Sequence, residues 1–243
     1  VESPDQKPGP LAAARRGFAA AWPIMAGYVV LGLPCGILSA AAGVSWWMCA
    51  VFSIVFYSGA GQYMIPNMWL AASPVSAIVA SVCLVNTRQV LYGTSLARFC
   101  AGAGKRLSVL FAATVTDESY GVNYAKFHNG GWDVQSALAV NLWSQATWTL
   151  ATTAGALLGT AVSVPTALAS FAMTALFICL LCMQDLSRGN LVAMAGAAAG
   201  VVACKLAGLS GVAVLVGAVV GVACAVLLGG PDPRAKAGET PCR

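Results

Sequence analysis

The chain has 243 residues, of which 59% are hydrophobic and only 9% charged, with a net charge of +5. Soluble domains carry about 25% charged residues, so this composition excludes a water-covered surface. The small positive excess reads as basic loops that set topology and not as a nucleic-acid interface. Hydrophobic spans need about 20 residues each. The expected class is therefore an all-α polytopic membrane protein, a bundle of about 7–8 transmembrane helices with some broken or kinked.

Residues 1–16 read as a mobile, Pro-rich cytoplasmic lead ending in Arg15 and Arg16. The apolar run after them is too long for a signal-peptide core, so the first segment is expected to be retained. A single transporter domain is expected over 17–229, and a disordered tail over 230–243. Segment one, 17–43, contains Pro23 and Pro34, which predict a kink or break. Segment two, 46–66, opens on the belt-like pair Trp46 and Trp47 and closes with Tyr57-Ser58-Gly59-Ala60-Gly61-Gln62.

Segment three, 74–100, holds Asn86-Thr87-Arg88-Gln89-Val90-Leu91-Tyr92-Gly93. A guanidinium inside a bilayer is costly and needs a partner or a wet cavity, which makes Arg88 a functional candidate. The alternative is an ion pair that only locks two helices. Segment four starts at Leu107 and meets Thr116-Asp117-Glu118 after about ten apolar residues. Two adjacent carboxylates there sit within the membrane or form a solvated acidic cap. Segment five, 134–162, carries Asn141, Trp143, Ser144, Gln145 and Trp148. Segments six (167–183), seven (191–206) and eight (210–229) follow, the last two rich in small residues suited to close packing.

With eight spans and both ends inside, eight Lys and Arg fall on the inner side and three, Arg98, Lys105 and Arg106, on the outer. That outer basic loop is a misfit. A re-entrant segment three, broken at Asn86, would remove it and leave seven spans. Depth counting places Asn86 and Arg88 near mid-membrane, with Asp117 and Glu118 at a similar level. Asn141 and Gln145 come out somewhat closer to the cytoplasm, and Gln62 closer still. The motif Leu84-Val85-Asn86 resembles Ala139-Val140-Asn141, a faint hint of an internal repeat.

The nine cysteines are scattered through apolar runs, where cysteine acts as a small hydrophobe. Cys179 and Cys182 lack further ligands nearby, and His128 is the sole histidine, so neither metal nor cofactor is expected. An intramembrane enzyme would need a metal pair or a nucleophile–base couple that this sequence does not display. No phosphate-binding Gly-x-x-x-x-Gly-Lys loop is present, so energy for any transport must come from an ion gradient, the substrate gradient or a partner.

Arg16-Gly17-Phe18, Pro23, Gly27-Tyr28, the Tyr57 to Gln62 run, the Asn86 to Gly93 run and Thr116-Asp117-Glu118 together resemble the AzlC family. These are large subunits of bacterial branched-chain amino acid exporters. The resemblance covers residues 15–229. It implies an inner-membrane, multi-pass exporter with an amino acid substrate and a small AzlD-like membrane subunit as partner. Gln89 stands where a histidine is frequent in that family, so this position does not titrate here.

As a mechanism, Arg88 or a broken-helix N-terminus near Asn86 would hold the substrate carboxylate. Asp117 or Glu118 would take the ammonium or a coupling proton. Asn86, Gln89, Gln62, Asn141 and Gln145 would complete a polar shell, with Tyr57, Tyr92 and Trp143 as pocket wall. A channel or structural subunit remains the alternative from another class.

Overall fold

The computed structural model describes residues 9–161, 171, 174–175, 178, 181–182, 188–208 and 213–228. Among them every regular element is helical: α1 (Pro10–Ala41), α2 (Trp46–Val55), α3 (Gly59–Leu70), α4 (Val75–Leu96), a 3₁₀ turn (Ala97–Cys100), α5 (Lys105–Ala113), α6 (Asp117–His128), α7 (Val134–Ala161), α8 (Arg188–Leu206) and α9 (Ala213–Leu228). The stretches Pro10–Ala41, Val75–Cys100 and Arg188–Leu206 are long and apolar enough to cross a membrane. The all-α membrane class holds. Most of the segment expected at 167–183, together with both chain ends, lies outside the described residues.

Contacts divide the chain into two compact units. One comprises residues 1–70 and 85–173, the other residues 71–84 and 174–243. In the first unit α1 and α7 are the spine. Gly32 and Gly36 on α1 and Gly155 and Gly159 on α7, each pair spaced four apart, lie in the contact between the two helices. A Cβ on Gly36 would meet the Thr152 carbonyl oxygen, and one on Gly155 the Leu33 carbonyl oxygen. Such spacing lets backbones approach where lipid offers no hydrophobic drive. Gly17 sits against Ala139, Gly32 against Ala151 and Gly36 against Thr152. The residue numbers rise together, so the two helices are parallel. α1 passes Pro23 and Pro34 as one helix, so the expected break there does not occur. Membrane helices tolerate proline when neighbours re-satisfy the freed carbonyls.

α2 and α3 do not form one crossing. Cys49 Sγ donates to the Thr152 carbonyl at 3.7 Å and Gln145 Nε2 to the Ile54 carbonyl at 3.0 Å, so α2 descends antiparallel to α7. The helix stops at Phe56. α3 then climbs back, with Gln62 beside Ser53 (3.1 Å) and the Tyr63 hydroxyl donating to the Leu31 carbonyl (2.5 Å). The expected span 46–66 is therefore a hairpin entering from the end where α1 finishes. Its polar Gln62 lies on the returning arm, on the side of the hairpin tip where α1 finishes.

α5 and α6 make a second hairpin from the opposite end. The Phe99 and Phe127 rings stack at 4.5 Å, and an Arg98 guanidinium nitrogen lies 2.8 Å from His128 Nε2. Arg16 reaches Asp133 at 3.5 Å. The start of α5, the end of α6 and the starts of α1 and α7 thus share one end of the unit. Half-helices of 9 to 12 residues are about 14–18 Å long, roughly half a bilayer core. α4 is continuous through Asn86, so the re-entrant piece is not segment three. Because α5–α6 turns back, Arg98, Lys105 and Arg106 join Arg15, Arg16 and Lys126 on a single end, which removes the misfit loop.

The second unit contains the α8–α9 pair. Gly196 meets Cys224, Gly200 meets Gly217, and Gly221 meets Ala193 and Ala197. The numbers run in opposite senses, so the pair is antiparallel and again closes on small residues.

Candidate functional site

Each hairpin tip is a three-residue break whose last residue, a Ser or Thr, caps the returning helix. Ser58 Oγ accepts from the Gly61 amide at 3.2 Å at the start of α3. Thr116 forms a reciprocal cap with Ser119 at the start of α6. Capping satisfies amides that a helix start leaves open, which is obligatory where water is scarce. Each tip is also tied to an asparagine. Ser58 Oγ donates to Asn86 Oδ1 at 2.6 Å, and Asn141 Nδ2 donates to Thr114 Oγ1 at 3.2 Å. Asn86 belongs to the helix after the first hairpin, Asn141 to the helix after the second. The faint sequence repeat thus has a structural counterpart: a hairpin and its following helix, used twice in inverted sense.

Between the tips lies a polar centre. Arg88 Nη1 pairs with Asp117 Oδ2 at 2.8 Å, with side chains 31% and 20% exposed, so this ion pair is neither buried dry nor freely solvated. The Tyr28 hydroxyl donates to Glu118 Oε2 at 2.8 Å and lies 2.9 Å from Thr116 Oγ1. Gln89 Nε2 makes a long 3.4 Å contact to the Tyr57 carbonyl. Among the described residues, buried Tyr57 Oη and Arg88 Nε have no hydrogen-bond partner. Tyr92 stacks on Tyr120 at 4.6 Å, and its hydroxyl is an electrostatic neighbour of Asp117 and Arg88. Asn86, Arg88, Gln89, Tyr57, Tyr92, Asp117 and Glu118 therefore come together.

The remaining candidates do not join them. Gln62 is buried and engaged at both ends of its amide: Ser53 Oγ (3.1 Å) and Trp148 Nε1 (2.9 Å) donate to Oε1, and Nε2 donates to the Phe56 carbonyl (2.6 Å). It holds the first hairpin closed. Asn141 does the same for the second, donating to the Phe111 carbonyl and Thr114 while Asn123 Nδ2 donates to its Oδ1 at 3.1 Å. Gln145 is spent on the Ile54 carbonyl. Trp143 is 40% exposed and packs on Phe18 at 5.2 Å, so it walls no pocket at this centre.

Three contributors escape sequence reasoning: Tyr28, Ser58 and Thr116. The only signal was their place inside the Gly27-Tyr28, Tyr57-Ser58 and Thr116-Asp117-Glu118 runs. A tyrosine on an apolar helix reads as packing until its hydroxyl is seen on a carboxylate. Among the described residues no group of three His, Cys, Asp or Glu side chains is placed to hold a metal ion.

Opposed half-helices around a charged pair define a polytopic membrane protein with a polar centre inside it. The AzlC protein family model matches residues 23–162, which include both hairpins, α4 and α7, and the chain belongs to that family. It is 29% identical to the inner membrane protein YgaZ of Escherichia coli, over 96% of this chain and 99% of that protein. It is 31% identical to the branched-chain amino acid transport protein AzlC of Bacillus subtilis, over 69% of this chain and 66% of that protein. No solved structure matches the chain.

Proposed function

We propose that the chain is a secondary exporter of branched-chain or similar small hydrophobic amino acids across a bacterial inner membrane. The observation that carries this is the pairing of unlike half-helix starts. The first turn of α3 carries no acid, whereas that of α6 carries Asp117 and Glu118. A helix start is partially positive. The α3 start therefore suits a carboxylate, and the acids on α6 suit an ammonium, which is the charge layout of a zwitterion. The name of the Bacillus subtilis relative supports the same substrate class.

In this mechanism the substrate carboxylate sits between the start of α3 and Arg88, drawing on the buried Arg88 Nε and Tyr57 hydroxyl, which have no partner among the described residues. Asp117 holds Arg88 in place between cycles. Glu118, whose recorded partner is the neutral Tyr28 phenol and not a cation, takes the ammonium or the coupling proton. Basic residues gathered at one end of the unit support reading that end as the cytoplasmic one. A small AzlD-like membrane subunit is the expected partner, and a transporter fits the centre better than an enzyme. Another small zwitterion is the competing cargo.

The test is efflux of labelled leucine, valine and methionine from cells expressing the chain with and without a small membrane partner. Saturable, chain-dependent efflux is expected. Arg88→Ala should abolish it while membrane insertion stays normal. Normal efflux from inserted Arg88→Ala would overturn the assignment.

A further inference from the structure

At the basic end of the first unit, two cavities share Trp132 as a wall. One, of about 400 Å³, is lined by Arg16, Lys126, Gly130, Gly131 and Trp132. The other, of about 370 Å³, is lined by Phe99, Leu107, Phe127, Trp132 and Val134. The first is cationic. Arg16 and Lys126 place their charges 5.4 and 5.5 Å from the Trp132 ring centre. Asp133 meets Arg16 only at 3.5 Å, and Lys126 has no carboxylate within 4.0 Å among the described residues. The site therefore keeps a net positive charge, with Arg15 next along α1. The second cavity is walled mostly by aromatic and aliphatic side chains, with Asp133 and Gln135 also on its lining. Tryptophan at the same level is characteristic of the boundary between headgroups and acyl chains.

We propose that these two cavities bind one anionic glycerophospholipid, its phosphate between Arg16 and Lys126 and an acyl chain against Phe99, Leu107 and Phe127. Charge complementarity selects the headgroup, because basic pockets between helices on the cytoplasmic side retain anionic lipids. The adjoining apolar cavity selects an amphiphile over a free anion. The bound lipid bridges α1, the α5–α6 hairpin and the start of α7, and so steadies the second hairpin from its open end. This inference rests on the membrane class and the geometry, not on the cargo.

The experiment is native mass spectrometry of the purified full chain in detergent with equal amounts of phosphatidylglycerol and phosphatidylcholine. The wild type should retain one phosphatidylglycerol in preference. Lys126→Gln should lower that retention about fivefold, the factor expected for one lysine at an anionic surface, and Lys126→Arg should restore it. Lys105→Gln removes a basic residue at the same end that lines neither cavity, and should change nothing. Equal retention of the two lipids would overturn the proposal. So would a loss on Lys105→Gln matching that on Lys126→Gln. Displacement by saturating inorganic phosphate alone would overturn the lipid assignment by showing that the site reads a bare anion.

Discussion

The two hairpins have nearly the same shape and opposite chemistry. α2–α3 has arms of 10 and 12 residues, α5–α6 arms of 9 and 12. Both break for three residues, cap with a hydroxyl and lean on an asparagine. Yet the first buries its polar groups as a closed set of Ser53, Gln62, Trp148 and Thr152, whereas the second presents two carboxylates at its tip. One scaffold used in two senses can therefore offer a positive helix end and a negative side-chain pair to the same small space. In the proposed mechanism the shared features serve folding and the differing ones serve the cargo.

That division can be broken most forcefully at the ion pair. Arg88→Ala should reduce efflux by at least about a hundredfold with normal membrane abundance, because a charge-assisted contact to a carboxylate is lost outright. The reciprocal Arg88→Asp with Asp117→Arg variant should insert normally but not restore efflux, since the positive charge then sits on α6 instead of α4. Next comes Glu118→Gln, which should cost roughly tenfold in efflux, the size of one lost hydrogen bond to a charged group, about 1.5 kcal/mol. It should also flatten the dependence of efflux on external pH. An unchanged pH profile in that variant would move the coupling role away from Glu118.

A smaller and different effect is expected in the first hairpin. Gln62→Ala leaves the Trp148 and Ser53 donors without their acceptor and should destabilise the fold by about 1–3 kcal/mol. The readout is a lower melting temperature with an unchanged apparent KM for leucine. A raised KM without loss of stability would put Gln62 back among the substrate contacts. Smallest of all is Trp143→Ala, which should leave efflux within about twofold, as expected for a surface substitution. The inverted arrangement itself is open to labelling in a cysteine-free background. Cysteines at Gly102 and Gly130 should react from the same side of the membrane, and one at Val44 from the other.

The polar centre was partly legible because charge stands out against lipid. Arg88, Asn86, Gln89, Asp117 and Glu118 interrupt apolar runs, and the cost of placing them there marks them whatever the fold. The hairpins were not legible. Residues 46–66 have the length and hydropathy of one crossing, and nothing local distinguishes a span from a half-helix that returns. Gln62 and Asn141 misled for a related reason. An amide in an apolar run advertises a polar need, but whether a ligand or a neighbouring side chain meets it depends on residues dozens of positions away.

Composition alone made this a membrane protein, since so few charges cannot cover a surface in water. The charge-bearing motifs alone marked where chemistry concentrates, since ions in lipid must have partners. The turning points of α2–α3 and α5–α6, the end at which Arg98 and Lys105 emerge, and the pairing of Tyr28 with Glu118 came only with the folded chain. Each depends on which backbones can approach one another, and that follows from glycine faces on α1 and α7 meeting at close range, a property of two helices together.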